Sequence, residues 1–232
     1  MRDLIKDLKN KPFIVYSVVI ICLFIFLMMT LAGGSTNPLV LLSFGARSNF
    51  HMVAGQWWRL LTAAFLHAGL MHLAMNLVFI YYGGAQVEAM IGHWRFLVIY
   101  LVSAVGGNLF SFAFSDSLSV GASTAIAGML ASVIVLEQFY PYHLYLKYLA
   151  KRYTFLVAIN VFFAFFSSNI DHAGHLGGFL SGALITVILP LPGASNHKKS
   201  YRLIALICLI LLWAFCAYYG YQSTLSQIKL IN

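Results

Sequence analysis

Seven apolar runs separated by short polar or basic connectors dominate the pattern of hydrophobic and polar positions along the chain. An α-helix needs about 20 apolar residues to cross the hydrocarbon core of a bilayer, and most of these runs approach that length. The pattern therefore predicts an all-α polytopic membrane protein. The predicted spans cover residues 13–31, 60–82, 95–114, 123–139, 153–166, 173–189 and 201–221.

The connectors divide the chain into three parts. Residues 1–12 predict a basic cytoplasmic tail, residues 13–190 a core of six spans, and residues 191–232 a cytoplasmic connector with a seventh transmembrane helix. A basic head before an apolar run also resembles a signal peptide, but this run is long and further spans follow it, which favours a retained anchor. The longest connector, residues 33–58, is rich in apolar residues and is predicted to lie partly in the membrane interface.

Composition and charge agree with this prediction and add an orientation. Hydrophobic residues make up 61% of the chain and charged residues 9%, whereas soluble domains are about 25% charged. The net charge of +8 is spread in clusters between apolar runs, which favours membrane orientation over a nucleic-acid partner. Of the 14 Lys and Arg residues, only Arg47, Arg59 and Lys229 fall on one predicted side. The positive-inside rule then predicts a cytoplasmic N-terminus and an external C-terminus.

The predicted orientation places several polar side chains in the outer half of the membrane. His67, His72 and Asn76 lie on the second span, Ser123 begins the fourth, and His175 begins the sixth. These three spans all enter from the outer face, so the five side chains are predicted at similar depth. Polar groups inside a bilayer are costly and mark functional sites by default.

The types of these residues suit nucleophilic hydrolysis. Ser123 is a candidate nucleophile and His175 a candidate general base. His72 and Asn76 are four residues apart, so they share a helical face and both can donate to a developing oxyanion. His67 is offset from His72 by five residues and is predicted to do something else. No buried aspartate is predicted near His175, which indicates a dyad rather than a triad.

Other interpretations of the same residues stay open from spacing alone. A serine at a span start is often a cap or a packing residue, and a membrane histidine often bridges helices. The four histidines of the outer zone are also potential metal ligands, although their spacing lacks the pair with a glutamate seen in zinc-protease helices. All six acidic residues are predicted outside the spans or at their ends, which counts against an ion-coupled transporter.

Three blocks of the sequence together resemble the rhomboid family of intramembrane serine proteases. The first block is Trp58-Arg59 followed by the stretch from His67 to Asn76. The second is Gly121-Ala-Ser123, and the third is His175-Leu-Gly-Gly178 with Gly182. Their order and spacing agree with the family from about residue 45 to residue 189.

This resemblance implies a six-helix rhomboid-like core with Ser123 as nucleophile and His175 as general base. It implies an oxyanion hole formed by His72, Asn76 and the Ser123 backbone N–H. The residues that it assigns to structural support are Arg59, His67, Glu88, Gly121 and Gly178. It further implies cleavage of transmembrane segments of other proteins near the outer face, within the lipid bilayer, with no metal and no cofactor. The short basic connectors and the lack of a presequence favour a bacterial plasma membrane.

Two positions depart from the family pattern. The residue after the nucleophile is usually glycine, whereas this chain has Thr124, whose β-branched side chain is predicted to restrict the turn. One turn later, where the family often has an aromatic residue against the histidine, Ala127 stands. These departures support an alternative, a weak or inactive rhomboid-like protein that binds membrane segments without cutting them. The presence of both Ser123 and His175 favours the active enzyme.

Overall fold

A computed structural model describes residues 11–164, 171–191 and 198–231. These residues form eleven α-helices with short connectors. The helices are α1 Phe13–Leu31, α2 Pro38–Phe44, α3 Asn49–Val53, α4 Arg59–Thr62, α5 Leu70–Phe79, α6 Ala85–Ile91, α7 His93–Phe114, α8 Ser123–Phe139, α9 Leu144–Ala164, α10 His172–Ile188 and α11 Lys199–Ile231. A 3₁₀ turn, Ala63–Phe65, follows α4, and a π-helical turn, Ile80–Gly84, joins α5 to α6.

Three of these helices, α1, α7 and α11, are long and apolar enough to cross a membrane. The bent pair formed by α4 with its 3₁₀ turn and by α5 to α6 adds a fourth if it is counted as one span. Helices α8 and α10 are apolar but shorter, with 17 residues each. The prediction of an all-helical, multi-pass membrane protein is confirmed, while the number of spans stays a prediction.

The predicted second span, residues 60–82, is not one continuous helix. The chain bends by 94° between Phe65 and Leu70, and Gly69 adopts a φ of +88° just before α5. Glycine reaches this left-handed region without the penalty that a Cβ imposes, so the helical hydrogen-bond ladder ends there. Hydropathy alone does not register such a break. Beyond the π turn the helix continues to Ile91, so Glu88, which was predicted in a turn, lies on α6.

The predicted fifth span also differs from the structure. Residues 141–152 were predicted as a connector, but α9 begins at Leu144. The basic residues of this stretch end the apolar run without ending the helix, because exposed lysine and arginine side chains are good helix formers. The end of this predicted span, the turn before Asp171, nearly all of the predicted tail and most of the connector after Pro190 lie outside the described residues.

Helices α7, α8 and α10 pack so closely that their backbones are in contact. A Cβ added to Gly128 on α8 would lie 2.6 Å from the carbonyl oxygen of Gly178 on α10, and one added to Gly182 would lie 2.3 Å from Gly128 Cα. At the level of Ser123, Gly107 of α7 would meet both Thr124 and the carbonyl oxygen of Gly174. Small residues permit this close packing within a membrane. The result is a tightly packed centre of three helices, which places the first turns of α8 and α10 side by side.

Candidate active site

The loop that precedes α8 is shaped by Gly121. This residue has a φ of +120°, and its N–H donates to the carbonyl oxygen of Ala63 at 2.9 Å. A Cβ at this position would lie 2.7 Å from Nε2 of His72. Both the backbone conformation and the neighbouring ring therefore require glycine.

The same point of the loop brings His72 and Ser123 together. The Ser123 hydroxyl oxygen lies 3.8 Å from the position that a Gly121 Cβ would occupy. The His72 ring borders the same position. His72 lies on α5, and Ser123 is the first residue of α8. Two elements that are remote in sequence thus deliver a hydroxyl and an imidazole to one small space.

Asn76 lies one turn after His72 and is 6% exposed. Its amide nitrogen donates to the His72 carbonyl oxygen at 2.8 Å, which leaves a second amide hydrogen for another acceptor. Its Oδ1 atom is buried and has no partner among the described residues. The side chain is therefore fixed to its own helix rather than to the loop of Ser123.

His67 lies in the break before α5 and is fully buried. Its Nε2 atom accepts the backbone N–H of Ala122 at 3.4 Å, and its ring packs edge-on against His72 at 5.2 Å between centroids. The expectation that His67 has a different task from His72 fits this geometry, since it holds the backbone next to Ser123. No group of three potential metal ligands gathers within residues 11–164, 171–191 and 198–231.

The start of α8 offers hydrogen-bond donors. The Ser123 N–H, in the first turn of a 17-residue helix, has no acceptor among the residues that the structure describes. Such N–H groups carry the partial positive charge of the helix N-terminus. Ser123 and Ala127, one turn apart, are half-buried, while residues 124–126 and 128 are buried. This face of α8 is therefore the one open to a reactant.

His175 lies in the first turns of α10, next to the start of α8. A Cβ at Gly178, one turn further along α10, would lie 2.1 Å from the carbonyl oxygen of Thr124, so the two helix starts are adjacent. The His175 ring is within electrostatic reach of His72. Neither the Ser123 hydroxyl nor the His175 ring makes a hydrogen bond to a residue in the described part of the chain. Their contact stays a prediction, since catalytic hydrogen bonds are often long before a substrate binds.

The structure places an aspartate, Asp171, one turn before His175, but no hydrogen bond joins it to the His175 ring in the described part of the chain, so the dyad stays a prediction. Asp171 caps α10, where its Oδ1 atom accepts the Gly174 N–H at 2.9 Å, and its charge reaches His175 one turn later. Its Oδ2 atom accepts hydrogen bonds from Ser111 and Ser119. An Asp at a helix start is the only local signal of these contacts, because the partner serines are over 50 residues away.

Thr124 causes no backbone strain, but its buried Oγ1 atom has no hydrogen-bond partner in the described part of the chain. The special backbone conformation of the turn belongs to Gly121, whereas Thr124 is helical and 3% exposed. Its side chain fills the space that Gly107 leaves on α7. The predicted restriction of the turn by a β-branched residue therefore does not arise from the backbone.

The two supporting charges have separate tasks. Arg59, 5% exposed, donates from Nη1 to the carbonyl oxygens of Leu42 and Ala46, both at 2.8 Å, and so holds the connector between α1 and α4. Glu88, 1% exposed, accepts the N–H groups of Ile14 and Val15 at the start of α1. Glu88 lies beyond the predicted second span, 60–82, on α6, where its carboxylate holds the start of α1.

A bent, polytopic helical bundle with a serine and histidines at adjacent helix ends defines a class of membrane proteins with an embedded polar site. The rhomboid domain profile matches residues 54–191, and the chain belongs to the rhomboid family.

Relatives carry protease names. The chain is 37% identical over 219 residues to the rhomboid protease GluP of Bacillus subtilis, over 94% of this chain and 43% of that protein. It is 40% identical over 150 residues to rhomboid-like protease 3 of Toxoplasma gondii, over 60% of this chain and 52% of that protein. It is 34% identical over 142 residues to the putative rhomboid protease YdcA of Bacillus subtilis. The chain spans about half the length of the first two relatives.

Proposed function

We propose that this chain is an intramembrane serine endopeptidase that cuts transmembrane segments of other membrane proteins near the outer face. The observation that carries the proposal is the packing of the His72 ring and the Ser123 hydroxyl around Gly121, beside the start of the helix that bears His175. The membership in the rhomboid family and the protease names of the relatives support it.

The proposed reaction begins with a substrate helix that unwinds where the half-buried face of α8 opens. Ser123 Oγ attacks the peptide carbonyl carbon, and His175 takes the hydroxyl proton as general base. The resulting oxyanion is stabilised by the Ser123 N–H and by His72 and Asn76. The C–N bond then breaks, and His175 returns the proton to the leaving amine. Water, activated in turn by His175, releases the acyl group and regenerates Ser123.

No metal or organic cofactor takes part in this scheme, and the partners are transmembrane substrates within the lipid bilayer. The proposed location is a bacterial plasma membrane, with the N-terminus in the cytoplasm and the C-terminus outside. The Lys and Arg distribution supports this orientation.

The first prediction concerns the nucleophile and the base. Purified protein in detergent is mixed with a single-span substrate, and Ser123→Ala and His175→Ala are each compared with the unchanged chain. We expect both variants to lose cleavage by at least about 1000-fold, as removal of a nucleophile or its base does in serine hydrolases, while they still insert and fold. Ser117→Ala, which removes an exposed hydroxyl before α8, is the matched control and should cleave normally. Cleavage retained by Ser123→Ala would rule the mechanism out.

A second candidate function is binding of membrane segments without cleavage. The observation that favours it is the lack of a Ser123–His175 hydrogen bond in the described residues, together with Thr124 and Ala127 at the departing positions. A fluorophosphonate that labels activated serines separates the two functions. Labelling of the unchanged chain, absent in Ser123→Ala, supports the protease, whereas an inert Ser123 with retained binding of a single-span peptide supports the binder.

A further inference from the structure

Each of the two residues proposed to react lies four positions after one member of a hydrogen-bonded pair. Ser119 lies four residues before Ser123, and Asp171 lies four residues before His175. The Ser119 hydroxyl donates to Oδ2 of Asp171 at 2.8 Å. One hydrogen bond therefore joins the segment that leads to the nucleophile with the cap of the helix that carries the base.

The carboxylate of Asp171 is compensated by a buried cation. Arg47 is 0% exposed, and its guanidinium donates to Ser111 Oγ, which in turn donates to Asp171 Oδ2. The same guanidinium donates to Oδ1 of Asn49 and, at 3.3 Å, to the carbonyl oxygen of Ser115. Burial lowers the pKa of Arg47 to about 10, and the charges of Asp171 and Asp116 oppose this. Arg47 thus stays charged at neutral pH and places a fixed positive charge one serine hydroxyl away from Asp171.

Ser119 is fixed from further directions. Its N–H and C=O pair with those of Arg47 in an antiparallel bridge, at 3.0 Å in both directions. Its hydroxyl also lies 3.3 Å from Oδ1 of Asn108, whose amide donates to the Leu60 carbonyl oxygen at 2.9 Å. The segment before Ser123 is therefore fastened at a single residue to the connector between α2 and α3, to α7 and to the cap of α10.

We propose that Asp171, through its hydrogen bond to Ser119, is a positioning residue that sets the register of Ser123 relative to His175. The inference rests on the proposed protease function. Asp171 does not touch the reacting groups, but a hydrogen bond from the buried Ser119 hydroxyl to a carboxylate has both the strength and the geometry to hold two chain segments in place. Small displacements of reacting groups are costly, since a 1 Å misplacement reduces turnover by about 100-fold.

The test compares the turnover number with the Michaelis constant in reconstituted full-length protein. Ser119→Ala removes the hydrogen bond and leaves Ser123, His175 and the cap of α10 unchanged. We expect kcat to fall by about tenfold, less than a full 1 Å misplacement would cost, and KM to stay within about twofold. The rate of fluorophosphonate labelling at Ser123 should fall in parallel, because it depends on the same register without a substrate.

Two further variants separate positioning from a general structural role. Ser119→Thr keeps the hydroxyl and should restore at least half of the lost kcat. Asp171→Asn keeps one oxygen for the Gly174 N–H and turns an NH2 group, which only donates, towards Ser119. The Ser119 hydroxyl can accept from this group, so the hydrogen bond is reversed and weakened rather than removed, and kcat should fall by more than twofold but by less than in Ser119→Ala. The double variant Ser119→Ala with Asp171→Asn should be no slower than Ser119→Ala alone, since both changes act on one contact.

The outcomes are distinguishable. A kcat for folded Ser119→Ala within twofold of the unchanged chain would overturn the inference, as would a rise in KM alone. Equal losses in the alanine and threonine variants would overturn it too, because the hydroxyl would then not be the cause. If Ser119→Ala does not fold, Asp171→Asn decides by the same thresholds. Lack of cleavage and labelling by the unchanged chain would overturn the proposed function and this inference together.

Discussion

Two carboxylates, the partly buried Asp171 and the buried Glu88, hold helix N-termini at different places in the molecule. Asp171 caps its own helix beside the candidate site and is compensated by Arg47, which is completely buried. Glu88 receives two N–H groups from another helix, α1, and pairs with His93, whose side chain is 37% exposed. One charge is held by a permanent buried cation, and the other by an exposed imidazole.

The helices that these carboxylates hold also differ in how tightly they are packed. Helix α10 packs against α8 so closely that the two backbones are in contact. By contrast, only 22% of the most apolar stretch of α1 is buried. The Asp171 region is therefore built to fix geometry, and the Glu88 region to attach a helix that mainly faces lipid. We expect substitutions near Asp171 to change turnover and substitutions near Glu88 to change stability alone.

The largest effect is expected for Arg47→Met. The variant removes the buried guanidinium that donates to Asn49 Oδ1 and Ser111 Oγ. At least two buried acceptors then lose a partner, at a cost of about 1–3 kcal/mol of unfolding free energy each. Unfolding in mixed micelles, followed by circular dichroism, measures the loss. Lys147→Met removes the same charge from an exposed position and should change stability by less than about 0.5 kcal/mol. A stable Arg47→Met variant with normal turnover would remove the contrast between the two regions.

A smaller effect is expected for Glu88→Gln. Glutamine keeps the shape but has one acceptor oxygen for two N–H groups, so one buried donor loses its partner, at a cost of about 1–3 kcal/mol. The turnover number per folded molecule should stay within about twofold, since α1 carries no proposed catalytic group. Glu137→Gln, at the far end of α8, is the control for loss of a carboxylate. A tenfold loss of kcat in Glu88→Gln would contradict the division of tasks.

The smallest effect is expected for His93→Ala. This change removes the partner of Glu88 but leaves both N–H groups of α1 in place, and partly exposed ion pairs are worth only about 0–1 kcal/mol. We expect a shift of about 0.5 kcal/mol in the same unfolding assay. A loss as large as that of Glu88→Gln would mean that the histidine, rather than the helix cap, determines the attachment of α1.

Much of the helical layout can be predicted from the sequence, because long apolar runs have few alternatives in a bilayer. The predicted spans 13–31 and 123–139 coincide with α1 and α8. The second span was predicted as continuous because Gly69 interrupts the backbone without interrupting the hydrophobicity. Hydropathy measures what lipid tolerates, not where a helix bends.

The candidate site likewise contains residues that the sequence reveals and residues that it does not. Ser123, His72 and His175 are distinguishable in the sequence because polar groups are rare within apolar runs. Arg47 is not, since it looks like one more charge in a connector until the fold buries it against Ser111 and Asp171. Contacts between residues 60 or more positions apart depend on tertiary structure, which no local pattern of a single sequence encodes.

The 94° bend before α5 also has a consequence for water. Backbone that leaves the helix at membrane depth is tolerated only where protein covers it or where it lines a hydrated space. Leu66 and His67 are covered by protein, whereas Leu70, on the other side of the bend, is 71% exposed. We therefore expect a hydrated space beside the bend, close to the ring of His72. In the proposed hydrolysis, the attacking water would enter through this space rather than through lipid.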